Sequence, residues 1–495
     1  MNAIPERGRT AAPILATLQS YKTHDIPWRD GRVMAYVYHA GDEAEQLIKA
    51  AHNLYLSENG LDPTTFPSLL RLEREVVRMV ATMLHGDEQV VGNVSSGGTE
   101  SIMLAVKTAR DWARAERGIT EPEMILSRTA HVAFHKAAHY LGVKLVFVPY
   151  DRETYETVAA AIPPAITANT ILLVASAPNY SHGVIDPIAE MAAIAQAHNI
   201  LCHVDACIGG FQLTYMRQLG YPVPAFDFAV PGVTSLSVDV HKYGYGAKGA
   251  SVILYRSKAL RRYQIYANLS TTAYAIINPT VQSTKSGGPV AAAWAILNFM
   301  GNDGYRRVIG ATAQATAELI AGIKTMPDLH IVGQPAMCLL AIESDTLNVF
   351  QLADQMKKRG WYIQPQFSPD SDRPNVHLSL TVAFAPHVAT FLADLQTCVD
   401  EVKQLDPLDP GPVKALIEQM LGERSEQLAV NSELSPISSL SVSQSPTLAQ
   451  QLLALGGLEG TTLPEEMALV NTLLAALPTA VAEAVLQEFF NELYS

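Results

Sequence analysis

At 495 residues, 48% of them hydrophobic and 17% charged, the chain has room for about three average domains and is too apolar to be globally disordered. Its formal net charge is −13, from 48 acids against 35 bases. That balance disfavours a nucleic acid or an anionic membrane surface as partner, since either recruits a basic face. The charge is uneven: no Lys or Arg follows Arg424 and eight Glu do, so the last 71 residues carry −8 and the first 424 carry −5.

Residues 1–87 read as a helical segment, and over 66–80 apolar positions recur three and four apart, marking one buried helix face. Residues 88–287 form one large domain. Its β-rich runs, at 90–94, 124–127, 144–148, 170–175, 200–204, 234–238 and 251–255, are separated mostly by helical stretches such as 99–117, 132–141 and 187–198. Such alternation predicts an α/β fold with a seven-stranded, mainly parallel sheet covered on both faces.

Residues 288–405 read as connecting helices, over 288–325, and a small C-terminal α/β domain. The latter has strands near 337–342 and 375–380 and helices over 347–359 and 386–405. Residues 406–447 form a Pro/Ser-rich linker, with three prolines in 406–412 and eight serines in 425–447. Residues 448–495 form an acidic helical segment closing with a helix over 481–494.

The four cysteines, Cys202, Cys207, Cys338 and Cys398, make no CxxC pair and are too sparse for a disulfide scaffold. No basic stretch leading into an apolar run opens the chain. The most apolar stretch, 290–300, falls short of the ~18–20 residues that cross a bilayer. A cytoplasmic protein without a membrane span is expected, and no metal.

Four segments carry chemistry. In SVDVHKYGYGAKG (237–249) a strand ends in His241-Lys242 and enters a glycine-rich loop. A lysine beside other cations and partly desolvated has a lowered pKa, as a Schiff-base amine needs, and a surface lysine is the alternative. In LCHVDACIGG (201–210) Asp205 closes an apolar strand, at the edge where open α/β sheets bind ligands. It could pair with a protonated pyridine nitrogen or cap the next helix. Asn93 to Ser101 joins a strand to a helix through Ser96-Gly97-Gly98, small residues that suit a phosphate cradle or a plain capping turn. His131, between a strand and a helix, could stack on an aromatic ring or cap the helix.

Phosphate cradle, stacking His, ring-nitrogen Asp and Schiff-base Lys follow one another in that order, and Asp205 precedes Lys242 by 37 residues. The constellation resembles fold-type I pyridoxal-phosphate enzymes, the group II decarboxylase family and its sphingosine-1-phosphate lyase branch. The resemblance is carried by His203-Val204-Asp205-Ala206-Cys207-Ile208-Gly209-Gly210-Phe211, His241-Lys242-Tyr243-Gly244-Tyr245, Ser96-Gly97-Gly98-Thr99-Glu100-Ser101 and His182-Gly183-Val184-Ile185-Asp186-Pro187, and covers roughly residues 35–405.

The resemblance implies pyridoxal 5'-phosphate held by Lys242 as a Schiff base, with Asp205 on the ring nitrogen and His131 on the ring face. Ser96, Gly97, Gly98 and His241 would hold the phosphate. Tyr38 matches a tyrosine that reaches the site from a partner subunit, and Lys248 a lysine near the substrate end. A homodimer with shared active sites and a small amine or amino-acid substrate are implied. The expected reaction is retro-aldol Cα–Cβ cleavage of a β-hydroxy amine, releasing an aldehyde, with amino-acid decarboxylation as the alternative. A catalytically silent pyridoxal-phosphate scaffold is the reading from another class, opposed by the presence of Lys242, Asp205 and His131.

Three departures bear on the substrate. Asp62 stands where the family places a histidine implicated in gripping the substrate phosphate. The family's Gly-Ser-Arg-Pro-Gly loop aligns with 282–288, keeping Ser286, Gly287 and a nearby Lys285 but losing the arginine. A Trp-Gly-Gly stretch is replaced by 269–273. A substrate without a phosphomonoester, or with a cationic group, is therefore expected.

Overall fold

The computed structural model describes residues 3–270, 272, 275–368, 373–411 and 464–494. Most of the expected linker, and the tail as far as 463, lie outside these.

Strands β1 (Val91–Ser95), β2 (Glu123–Ser127), β3 (Lys144–Val148), β4 (Thr170–Ser176), β5 (Leu201–Asp205), β6 (Ser235–Asp239) and β7 (Ser251–Tyr255) form the large sheet in the order β1-β7-β6-β5-β4-β2-β3. Strands β2 to β6 run parallel. β7 is antiparallel to both β6 and β1. Every residue of β2, β4, β6 and β7 is buried; β2, β4 and β7 accordingly read as nearly continuous apolar runs, whereas β6 alternates Ser235 and Ser237 with Leu236 and Val238.

The helix Gly98–Arg117 connects β1 to β2, burying Ile102, Val106, Ala109 and Ala113 and ending on Gly118 in the left-handed region (φ 68°). Helices Ala133–Leu141, Ile188–Ala197 and Gly209–Gln218 complete the crossovers that matter here. Because β1 and β6 are both antiparallel to β7, β1, β2, β4, β5 and β6 deliver their carboxyl ends to one edge. That edge positions the site.

Helices Ala11–Tyr21, Asp42–Leu54 and Pro67–Met83 precede the sheet. After it come a hairpin, β8 (Tyr266–Asn268) and β9 (Ile276–Asn278), and the helical run Gly288–Ile323, kinked at Gly301 (φ 53°, ψ −178°). An antiparallel sheet of β10 (His330–Ile331), β11 (Leu339–Glu343), β12 (Gln364–Gln366) and β13 (Asn375–Ser379) has the order β10-β11-β13-β12. The pattern anticipates β11 and β13 but not β8, β9, β10 or β12, since two- and three-residue strands leave no alternation to read.

Among the described residues, the run Val382–Val402 is long and apolar enough to cross a membrane. Here its Phe391, Leu395, Cys398 and Val399 are buried, and its helix packs on Val349–Lys358 and Gly288–Ile323 as a core helix would. The tail helix Ala468–Ala476 also docks on Val349–Lys358. Its start is capped from outside by Asp354, which accepts from Met467 N (3.0 Å) and Ala468 N (2.7 Å).

Candidate active site

A cavity of ≈390 Å³ opens at the shared strand edge. Ser96, Gly97 and Gly98 reach it from β1, His131 from β2, Asn179 and Tyr180 from β4, Asp205 and Cys207 from β5, and Asp239, His241 and Lys242 from β6. All seven residues expected to bind the cofactor are brought together there.

Lys242 Nζ lies 2.9 Å from Asp239 Oδ2. Burial pulls the amine down, but the Asp239 carboxylate outweighs it and holds the pKa above the ordinary lysine value. The expected lowering is thereby overturned: the closest charge is an anion, not a cation. Burial likewise pushes Asp239 up, and Lys242 and His241 bring it below the ordinary carboxylate value. Sequence reasoning passed over Asp239, whose one signal was an acid closing an apolar strand three residues before the lysine.

Asp205 Oδ1 accepts from Cys207 N (3.0 Å) and Ser237 Oγ (3.4 Å). No side chain caps the helix Gly209–Gln218 that follows, so the capping reading falls, and Asp205 braces its own turn while lining the cavity. His131 behaves similarly. Its Nδ1 accepts from Ala133 N (3.1 Å), which leaves the ring proton on Nε2, and burial lowers its pKa so that the ring stays neutral. The ring meets Tyr180 edge-on, at 6.4 Å between centroids and 87° between planes. Tyr180, a further residue missed in the sequence, donates its hydroxyl to Gln364 Oε1 of β12 (2.6 Å), tying the small sheet to the cavity wall.

Gly97 and Gly98 begin the long helix, whose first N–H groups lack intrahelical acceptors. A Cβ on Gly98 would stand 2.7 Å from Asp239 Oδ2 and 2.9 Å from Cys207 Sγ, so only glycine fits. Ser96 N, one of the expected phosphate donors, instead donates to Glu100 Oε2 (2.6 Å). Glu100 Oε1 accepts from Val281 N (2.6 Å) and Gln282 N (3.3 Å), joining this turn to the loop after β9. Among the described residues, His241 Nδ1 and Asp239 Oδ1 are buried without partners. A glycine cradle at a helix start, an unpaired imidazole nitrogen, a lysine amine and a strand-end carboxylate are the groups that a phosphorylated pyridine aldehyde requires, and the site fits it.

The remaining candidates divide. Tyr38, expected from a partner subunit, packs on its own chain: its ring meets Tyr243 edge-on at 5.0 Å and Lys248 Nζ sits 4.9 Å from its centroid. Burial raises the Tyr38 pKa, against the pull of Lys242. Lys248 Nζ donates to Tyr36 O (2.7 Å), and burial, then the Lys242 charge, push its pKa down to about 8. Asp62, Ser286 and Gly287 do not line the cavity within one chain. Asp62 Oδ1 accepts from Thr64 N (2.8 Å) and Thr64 Oγ1 (2.6 Å) and borders a separate groove of ≈1250 Å³. Ser286 Oγ donates to Leu56 O (2.8 Å) and Gly287 N to Glu58 O (2.9 Å), so this loop is fastened to residues 56–58.

Fold and site together define a fold-type I pyridoxal-phosphate enzyme. Residues 20–343 match the pyridoxal-dependent decarboxylase conserved domain, and the chain belongs to that family. Residues 426–492 match a C-terminal putative HTH domain of pyridoxal-dependent enzymes. The chain is 40% identical over 408 residues to the sphingosine-1-phosphate lyase of Oryza sativa, covering 81% of this chain and 74% of that protein. Against the sphingosine-1-phosphate lyase of Arabidopsis thaliana the figures are 38% over 427 residues, 85% and 76%. The solved structure of the Burkholderia pseudomallei sphingosine-1-phosphate lyase superposes with TM-score 0.78 at 34% identity, over 85% of this chain and 96% of that one. A Lactobacillus brevis glutamate decarboxylase, TM-score 0.71 and 18% identical over 82% of this chain and 96% of that one, shares the fold. The protein is a pyridoxal 5'-phosphate-dependent lyase.

Proposed function

We propose that this lyase cleaves the Cα–Cβ bond of a β-hydroxy amine and releases an aldehyde. The observation that carries this reading is its 32–40% identity to sphingosine-1-phosphate lyases over most of its length, with Lys242, Asp205 and His131 gathered in one cavity. When bound, pyridoxal phosphate supplies a carbonyl for the substrate amine and a ring that accepts the electron pair of the breaking bond. Lys242 Nζ would tether the cofactor and, once the substrate amine displaces it, would take the β-hydroxyl proton as the aldehyde leaves and return a proton to Cα. Asp205 would face the ring nitrogen, His131 would cover the ring face, and Gly97, Gly98 and His241 would hold the phosphate. Ser96 acts through its side chain, since its N–H is committed to Glu100.

A homodimer agrees with the N-terminal helix Ala11–Tyr21, which buries none of its residues and exposes Leu15 and Leu18. Four buried, unpaired thiols support a reducing, cytoplasmic setting.

Mass spectrometry of products tests the reaction, with sphinganine 1-phosphate, sphinganine, shorter β-hydroxy amines and free amino acids as substrates. An aldehyde from a β-hydroxy amine is expected. Carbon dioxide from an amino acid, with no aldehyde from any amine, would replace this reading by decarboxylation. Asp62 and the altered loop at 282–288 predict that sphinganine 1-phosphate is used no better than its unphosphorylated counterpart.

Lys248 gives a pH signature. With a pKa near 8 it loses its charge as pH rises through that value. For a substrate that carries an anionic group, such as sphinganine 1-phosphate or a free amino acid from the panel, KM is expected to rise several-fold between about pH 7 and about pH 9, since a cation is lost. Lys248→Gln should show the raised KM throughout and a flat profile. A wild-type KM that does not change over this range would remove Lys248 from substrate binding.

A further inference from the structure

β5 and β6 lie in parallel register with His203 opposite Ser235 and Asp205 opposite Ser237, so one face of the strand pair carries all four side chains. All are buried, His203 and Ser237 completely. His203 Nδ1 is 2.9 Å from Ser235 Oγ and His203 Nε2 is 3.2 Å from Ser237 Oγ. Ser237 Oγ in turn lies 3.4 Å from Asp205 Oδ1, long for an O–H···O bond.

The proton count orders this row. The Ser237 hydroxyl has the Asp205 carboxylate and the Cys207 sulfur as acceptors, and its single proton points to the carboxylate, the stronger of the two. Ser237 then accepts from His203 Nε2–H, and His203 Nδ1 accepts from the Ser235 hydroxyl. Burial lowers the His203 pKa to about 4, which keeps the ring neutral, with one N–H to give. The ring is further fenced by Phe134, edge-on at 5.9 Å.

We infer that Ser237 and His203 are positioning residues for Asp205, holding its Oδ1 with a donated hydrogen bond so that the other carboxylate oxygen faces the cofactor ring nitrogen. A hydrogen bond given to a carboxylate favours its charged form. Loss of this hold would let the carboxylate turn and weaken its hydrogen bond to the ring N–H. The inference rests on the role assigned to Asp205 above.

The test loads the enzyme with pyridoxal phosphate carrying 15N in its ring and reads the ring-nitrogen resonance. Wild type is expected to give the protonated value, Ser237→Ala a shift towards the unprotonated value, and Ser237→Thr, which keeps the hydroxyl, the wild-type value. For Ser237→Ala, kcat should fall about ten-fold with KM changed less than about two-fold. Identical resonances in wild type and Ser237→Ala would overturn the inference. An unprotonated ring in wild type would instead overturn the role of Asp205. Should Ser237→Ala not fold, His203→Phe removes the Nε2–H while leaving Ser237 in place. A smaller shift is expected there, and no shift overturns the inference equally.

Discussion

Lys242→Ala is expected to lower turnover by about 10⁴-fold or more and to abolish the absorbance band of the lysine-bound cofactor. Among the described residues Lys242 is the one lysine that lines the cavity, and Lys248 Nζ is held by Tyr36 O. The same change leaves the Asp239 carboxylate, 1% exposed, without its 2.9 Å partner. Removing one partner of a buried ion pair costs about 3–5 kcal/mol. The sign with pH is definite. In wild type Asp239 is held below its ordinary pKa, so it stabilises the fold above that value. Without Lys242 burial dominates and raises the carboxyl, so the variant loses stability as pH climbs, and its Tm deficit should be larger at about pH 8 than at about pH 5. Lys242→Arg separates the two effects. It keeps a cation beside Asp239 but has no nucleophilic amine, so stability should return while turnover does not. A turnover loss below about 100-fold in Lys242→Ala would remove it from the chemistry.

Asp205→Asn should cut kcat by about 10²–10³-fold with little effect on the fold or on KM. Asparagine is nearly the same shape, and its carbonyl oxygen can still accept from Cys207 N and Ser237 Oγ as Oδ1 does now. What it lacks is the charge that keeps a proton on the ring nitrogen. The cofactor should still be tethered, because Lys242 is untouched, and the absorbance band should persist. Absorbance spectra and steady-state kinetics on one preparation check both halves. A kcat within about five-fold of wild type would show that the carboxylate does not act through its charge.

The sheet was legible because burial on both faces wrote itself into the sequence as short apolar runs, with small or polar residues at their ends. Ser96 to Gly98, His131, Asp205 and Lys242 stood out because each terminates such a run on the same edge. Other features depend on contacts that no local pattern encodes. The Lys242 pKa turns on Asp239, three residues away, and on a backbone turn that brings their side chains together. Tyr180 stands four residues beyond β4, and its tie to Gln364, distant in sequence, has no periodicity to announce it. Strand-end position was thus readable, and the sign of the local field was not.

Glu100 has a mechanical consequence. One of its carboxylate oxygens grips the turn that holds the glycine cradle, and the other grips the loop that continues to Lys285, Ser286 and Gly287. That loop is fastened in turn to residues 56–58. Two stretches of chain therefore share one rivet and a third is tied to it through the loop, so a strain applied to any of them is delivered to the cradle. Damage to the 281–287 loop should surface first as a looser grip on the cofactor, well before any change in which amine is accepted.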